Sequence, residues 1–193
     1  MSQLKPFRQY DEHDVINLFT FNGTTGTNGI LSDAGALMKV ADNTGWVASS
    51  DQVDLAGNSG GLSLTGKVLS TPWSLTAKVA LAGATDQPIG MALVAMRDED
   101  ENGEKLIYNP RKAVEMGVVV PGQSIPLLTR GLVIYSTDTN DWTSTTINAG
   151  DAIYGAASGE LTKTNNTAGT LKQVGVALGA KTSDHWCLIK LDI

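Results

Sequence analysis

Asn148-Ala-Gly-Asp-Ala-Ile-Tyr-Gly-Ala-Ala-Ser-Gly-Glu-Leu-Thr162, followed by Gln173-Val-Gly-Val-Ala-Leu178 and the closing Trp186-Cys-Leu-Ile-Lys-Leu-Asp-Ile193, is the stretch that decides the fold. Short aliphatic and β-branched runs alternate here with Gly, Asn, Asp and Ser, the pattern of a small antiparallel meander. Working outward, residues 34–48 read as strand, turn and strand, with Asp42-Asn-Thr-Gly45 as the turn. Ala34-Gly35 matches Ala149-Gly150, Ser158-Gly159 stands where Thr44-Gly45 does, and Ile89-Gly-Met-Ala-Leu93 answers Val174-Gly-Val-Ala-Leu178. Each of the last two is followed by a polar turn and an apolar strand, Lys105-Leu-Ile-Tyr108 or Cys187-Leu-Ile-Lys-Leu191. These parallels outline two related β units, about 30–109 and 145–193, with extra sequence in the first between about 49 and 79. Chance likeness between two Gly- and Ala-rich segments is the competing account.

A helix and strand connector joins the two units. Asn109 can cap a short helix over about 109–117, Pro110 presets φ at its first position, and Gly117 can close it in the left-handed region. Residues 118–135 return to strands, and Pro121 and Pro126, having no N–H to give, belong at strand ends or sheet edges. The polar stretch 136–144 reads as an exposed loop. At the other end, residues 1–20 form a candidate N-terminal arm ahead of a body spanning 21–193. Phe7, Arg8 and Tyr10 mix charge with aromatics, Val15, Ile16, Leu18 and Phe19 are apolar, and the Gly/Thr/Asn linker 22–29 fences the arm off. Two destinations stay open for it: its own sheet, or β-augmentation of another chain. The expected fold is mostly β, a compact antiparallel barrel or sandwich-like body with one short helix and an extended N-terminal arm.

The bulk numbers narrow the function. A chain of 193 residues can bury a core without disulfides or metals. Its formal charge of -6 argues against a phosphate-tracking surface, and so against a nucleic-acid partner. The lone cysteine, Cys187, excludes an intramolecular disulfide and fits a reducing compartment. No apolar run follows the basic N-terminal residues and none approaches a membrane span, which leads to the expectation of a soluble protein folded in the cytoplasm, with no membrane partner.

Three motifs look chemical. Gly57-Asn-Ser-Gly-Gly61 imitates a serine-protease nucleophile loop, but His13 is the sole upstream histidine and too close in sequence to Ser59 for the barrels such an enzyme needs. Asp98-Glu-Asp-Glu-Asn-Gly103 fits the first half of an EF-hand loop and fails the second, where Asn109 stands in place of the bidentate Glu. It reads instead as a hairpin whose Asn102-Gly103 makes a type I′ turn. His185-Trp-Cys187 would put half a zinc site on one strand face, with no second pair to complete it. The residues therefore assign no catalytic group, no cofactor and no metal, and the expectation is a protein that is not an enzyme.

The arm Phe7-Arg-Gln-Tyr-Asp-Glu-His-Asp-Val-Ile-Asn-Leu-Phe19 carries the first part of a resemblance. Its second part is the central block Asp100-Glu-Asn-Gly-Glu-Lys-Leu-Ile-Tyr-Asn-Pro-Arg-Lys-Ala-Val-Glu-Met116 with Pro121-Gly-Gln-Ser-Ile-Pro-Leu-Leu-Thr-Arg-Gly131, and its third the ending from Ala149. Together they resemble tailed-bacteriophage head proteins, above all capsid decoration or cement proteins of the marine-phage type. The resemblance implies a β-rich, non-enzymatic homotrimer, assembled in the host bacterial cytoplasm, that sits on the outer head surface of the virion and ties major capsid protein subunits together. Phe7, Arg8, Tyr10, Val15, Ile16, Leu18 and Phe19 would then be the contacts of the arm with capsid or a neighbouring protomer. The alternative is a phage fibre or receptor-binding appendage that recognises a host surface glycan through the loops around 57–66 and 137–146, with an exposed Trp142 as anchor.

Overall fold

The computed structural model describes residues 2–6, 14–17, 19–21, 30–41, 78–165 and 171–193. In chain order its strands are β1 (Ser2–Pro6), β2 (Val15–Ile16), β3 (Thr20–Phe21), β4 (Ile30–Ser32), β5 (Leu37–Val40), β6 (Lys78–Leu81), β7 (Gly90–Ala92), β8 (Met96–Arg97), β9 (Leu127–Leu128), β10 (Arg130–Thr137), β11 (Ala152–Gly155), β12 (Leu161–Thr162), β13 (Gln173–Ala177) and β14 (Cys187–Asp192). The helices are α1 (Pro110–Glu115) and α2 (Asn140–Thr143). One six-stranded sheet has the order β1-β10-β14-β13-β11-β12, a second has β2-β9-β7-β5-β6-β3, and β4 pairs with β8 alone. The fold is β-rich and antiparallel, as the alternating sequence pattern implies, apart from β3, which lies parallel to β6.

The period-2 alternation of strands decides what each face buries. In the second sheet Leu37, Met91 and Leu128 turn toward the first sheet and meet Val133, Tyr135, Ile153, Ile189 and Leu191 in the main core. Their neighbours Met38, Ala92 and Leu127 point the other way, into a second core closed by Phe19, Phe21, Met96 and Ile125. The second sheet is thus buried on both faces. The first buries one, and Lys190 and Asp192 on β14 stand on its exposed side. A satellite core of Leu106, Ala113 and Val120, with Met116 and Val118 against it, lies apart under α1.

The two sheets repeat one plan in register. Gly35 N–H donates to Ala92 O at 2.7 Å, and Gly150 N–H donates to Ala177 O at 2.7 Å. Ala92 N–H returns a bond to Ala36 O, as Ala177 N–H does to Asp151 O. Both glycines sit at φ 90°, a left-handed conformation that costs any other residue strain. Leu37 then pairs with Met91 and Met38 with Gly90, while Ala152 pairs with Val176 and Ile153 with Gly175. The next strand over is β9 in one sheet, with Met91 opposite Leu128, and β14 in the other, with Val176 opposite Lys190. Beyond these lie β2 and β10.

This correspondence corrects one sequence reading. The third strand of the first unit is Leu127–Leu128, whereas 106–108 form a 3-10 turn. Residues 93–126, which include the 98–125 block, connect β7 to β9 where the short segment 178–186 connects β13 to β14 in the second unit. A second correction concerns 136–144. Ser136 and Thr137 belong to β10 and are buried, and α2 follows, with Trp142 wholly buried against Tyr135 at 5.0 Å between ring centroids and 81° between planes. Trp142 Nε1–H donates to His185 O at 2.8 Å, so this polar-looking stretch is anchored by its one large residue. The turns proposed at 42–45 and 57–61 and the linker 22–29 lie outside the described residues.

Candidate interaction surfaces

The N-terminal stretch is the first candidate. β1 pairs with β10 from Ser2 opposite Thr137 to Pro6 opposite Val133, and forms the edge of the first sheet. Val15 pairs with Leu128 and Ile16 with Leu127 of the same chain. Thr129 donates to Asp14 O through both its N–H and its hydroxyl, at 2.8 and 2.9 Å, and Ile125 N–H donates to Phe19 O at 2.9 Å. Phe19 is 8% exposed and belongs to the second core. The described part of the predicted arm is therefore built into its own body, the first of the two destinations open to it. Phe7, Arg8, Tyr10 and Leu18 lie outside the described residues.

The inserted block 98–125 is the second. Asn109 caps α1 as its sequence predicts, accepting from Lys112 N–H at 3.3 Å, Pro110 takes the first position, and Gly117 follows at φ 63°. The EF-hand-like segment is a hairpin tip. Gly103 N–H donates to Asp100 O and Asp100 N–H to Glu104 O, with Gly103 at φ 81°. Asn102 has no positive φ, so the turn is type I with a glycine bulge where the sequence suggested type I′. Three of its carboxylates are engaged internally. Asp98 and Glu99 hold Lys105 at 2.6 and 2.7 Å, while Asp100 accepts from the backbone of Asn102 and Glu104, at 2.8 Å each, and from Lys112. The Lys112 ammonium first, and the backbone donors next, hold the Asp100 carboxyl down to about 2. On this braced module three large apolar side chains face solvent: Ile107 at 58%, Tyr108 at 86% and Val114 at 79% exposed. Sequence periodicity misses them because a six-residue helix and a three-residue 3-10 turn carry too little pattern to separate their faces.

Two hollows lie among the described residues. One of about 320 Å³ is lined by Asp14, Arg130, Gly131, Leu132, Lys190 and Asp192, where acid and base offset each other. The other, about 260 Å³, lies between 143–148 and 180–185. His185 and Cys187 do not form the half-site their spacing suggested. His185 sits in a turn at φ 65°, outside β14, and Cys187 is 1% exposed with its thiol pushed up to about 11 by burial. Among the described residues no group of His, Cys, Asp and Glu could hold a metal, and no helix is long and apolar enough to cross a membrane. In comparisons with known proteins no family model matches the chain, and neither a curated protein nor a solved structure matches it significantly.

Proposed function

We propose that the chain is a non-enzymatic structural protein that binds the outer surface of a phage head and stabilises the capsid lattice. The partners in this reading are the major capsid protein and further copies of the chain in a homotrimer. The observation that carries it is the braced module 98–120, which holds Ile107, Tyr108 and Val114 out to solvent on a core of its own. Large apolar side chains so displayed mark an interaction surface, and Tyr is a frequent anchor of such surfaces. The ion pairs of Lys105 with Asp98 and of Lys112 with the buried Asp100 brace the module before binding, which lowers the ordering entropy left to lose. A contact of this size is weak alone. Repeated over a lattice by a trimer it acts by avidity, and a protein that binds only the mature shell raises its resistance to disruption.

Removing 1–20 would strip β1 and β2 from their sheets and take Phe19 out of the second core, so truncation tests folding before it tests binding. The appendage reading, in turn, loses its anchor, since Trp142 is fully buried. Co-sedimentation with purified expanded heads is the test. The proposal requires saturable binding to heads, and binding to host cells with none to heads would replace it with the appendage reading.

A further inference from the structure

We infer that the outer face of the first sheet is a contact between two copies of the chain, related by a two-fold axis. The module 98–120 takes no part in it, so the contact stands apart from the head-binding reading, and where the homotrimer forms it joins one trimer to the next. What points to a second copy is the arrangement of the sheet faces. In the first unit Leu37, Met91 and Leu128 are buried against the second unit, and Met38, Ala92 and Leu127 are buried in the second core. In the second unit Ile153, Ala177 and Ile189 fill the main core, while Ala152, Val176 and Lys190, the counterparts of Leu37, Met91 and Leu128, lie outside it. Among the described residues three of the four broad sheet faces are therefore covered, and the counterpart of the fourth is covered by another sheet. A further copy offers the same remaining face, so sheet-on-sheet packing between copies is isologous.

The pattern of this face is complementary to itself. Across β10 and β14, Arg130 stands opposite Asp192, Leu132 opposite Lys190 and Ile134 opposite Leu188. Ile134, Leu188 and Val176 are half-buried, and Leu178, whose N–H donates to Leu188 O, is 45% exposed, so one end of the face is apolar. At the other end Arg130 and Lys190 share the hollow of about 320 Å³ with Asp14 and Asp192, a balance of charge in a chain of net charge -6. Two copies approach there without the like-charge repulsion that the rest of an acidic surface brings. A two-fold axis running along the strands between β10 and β14 lays β10 of one copy over β14 of the other, row on row. Arg130 then meets Asp192 of the partner subunit, Asp192 meets Arg130 of the partner subunit, and Ile134 meets Leu188 of the partner subunit. The charges can make these contacts. The Arg130 side chain is 67% exposed with its Nε 3.8 Å from Asp14 Oδ1, at the limit of an ion pair, and Asp192 has no ion-pair partner among the described residues. Sheets packed face to face keep their strand directions within about 30° of each other, as such an axis allows. With strands about 4.8 Å apart and a rise of about 3.3 Å per residue, the face offers roughly 500 Å² per copy, against roughly 800 Å² in a standard interface, so the pairing depends on concentration.

The test is the native mass of the full-length protein by sedimentation over a concentration series, for the native chain, Arg130→Asp, Asp192→Arg and an equimolar mixture of the two variants. Both side chains are exposed, so each variant should keep the native melting temperature. Each variant alone places like charges together at both 130–192 contacts and should associate at least about tenfold more weakly than the native chain, which reaches twice its mass. In the mixture every 130–192 contact again joins opposite charges, so the mass should return to the native value. A second readout needs no variant: the methyl resonances of Ile134, Val176 and Leu188 should shift as native protein is diluted. A native mass equal to that of the variants, a mixture no heavier than its parts, or dilution shifts at Ile107 and Val114 with none at Ile134, Val176 and Leu188 would overturn the inference. No heads are present in these measurements, so failure here leaves the head-binding reading to its own test.

Discussion

Gly175→Ala offers a quantitative check on how the first sheet is held. A Cβ at this position would stand 2.4 Å from Lys190 O and 3.2 Å from Ile189 Cγ2. The first of these is backbone, in β14, which is hydrogen-bonded on one side to β10 and on the other to β13. Neither neighbour can let it retreat without loss of its own ladder. Relieving the clash needs a shift on the order of 1 Å, at the upper end of overpacking costs, about 3 kcal/mol. The stiffer unfolded chain returns about 0.5–1 kcal/mol. A net loss of about 2 kcal/mol lowers the melting temperature of a chain this long by roughly 4–8 °C. The equivalent Gly90 faces Leu127 Cβ at 3.0 Å and Leu128 O at 3.2 Å, a milder approach to a strand of two residues that can give. Gly90→Ala should therefore change stability by no more than about 1 kcal/mol. Gly179, with nothing within 4 Å of its Cβ position, is the control. Thermal unfolding followed by circular dichroism ranks the three. A Gly175→Ala protein that melts with Gly179→Ala, or above Gly90→Ala, would refute the close approach of β13 and β14.

Two further changes probe the parts that position the surfaces. Trp142→Phe keeps most of the buried ring and leaves His185 O without its indole donor; it should destabilise by about 1–3 kcal/mol in thermal melts, and a neutral result would place Trp142 outside the core. Asp100 has a carboxyl lowered from 3.8 to about 2 by Lys112 and backbone donors, so the stability it contributes is complete above about pH 4 and lost as pH falls toward 2. Asp100→Asn should lower the melting temperature near neutrality and flatten its fall between about pH 4 and 2; an unchanged acid profile would show that the module is not braced by this carboxylate.

Local grammar accounts for much of what the sequence made legible. Asn109, Pro110 and Gly117 each occupy the helix position their chemistry suits, and Gly35 and Gly150 announce equivalent turns because both must adopt φ 90°. What local grammar cannot carry is pairing at a distance. Val15 meets Leu128 only in the folded sheet, and the sequence points to 105–108 as the third strand of the first unit because nothing local signals that strand's true place at Leu127–Leu128. Trp142 reads as exposed in the sequence because its neighbours Thr139, Asp141 and Thr143 are polar, although a single aromatic suffices to pin such a segment to a core.

In the proposed function, this chain binds and stabilises phage heads through the module carrying Tyr108 and Val114. The most direct measurement is the thermal resistance of purified expanded heads, with and without added protein, for the native chain and for a Tyr108→Asp, Val114→Asp variant. Both side chains are exposed, at 86% and 79%, so the variant should fold and melt within about 0.5 kcal/mol of the native chain. The account predicts that the native protein saturates the heads and raises their disruption temperature, and that the variant does neither. Heads left unchanged by the native protein, or stabilised equally by the variant, would contradict it.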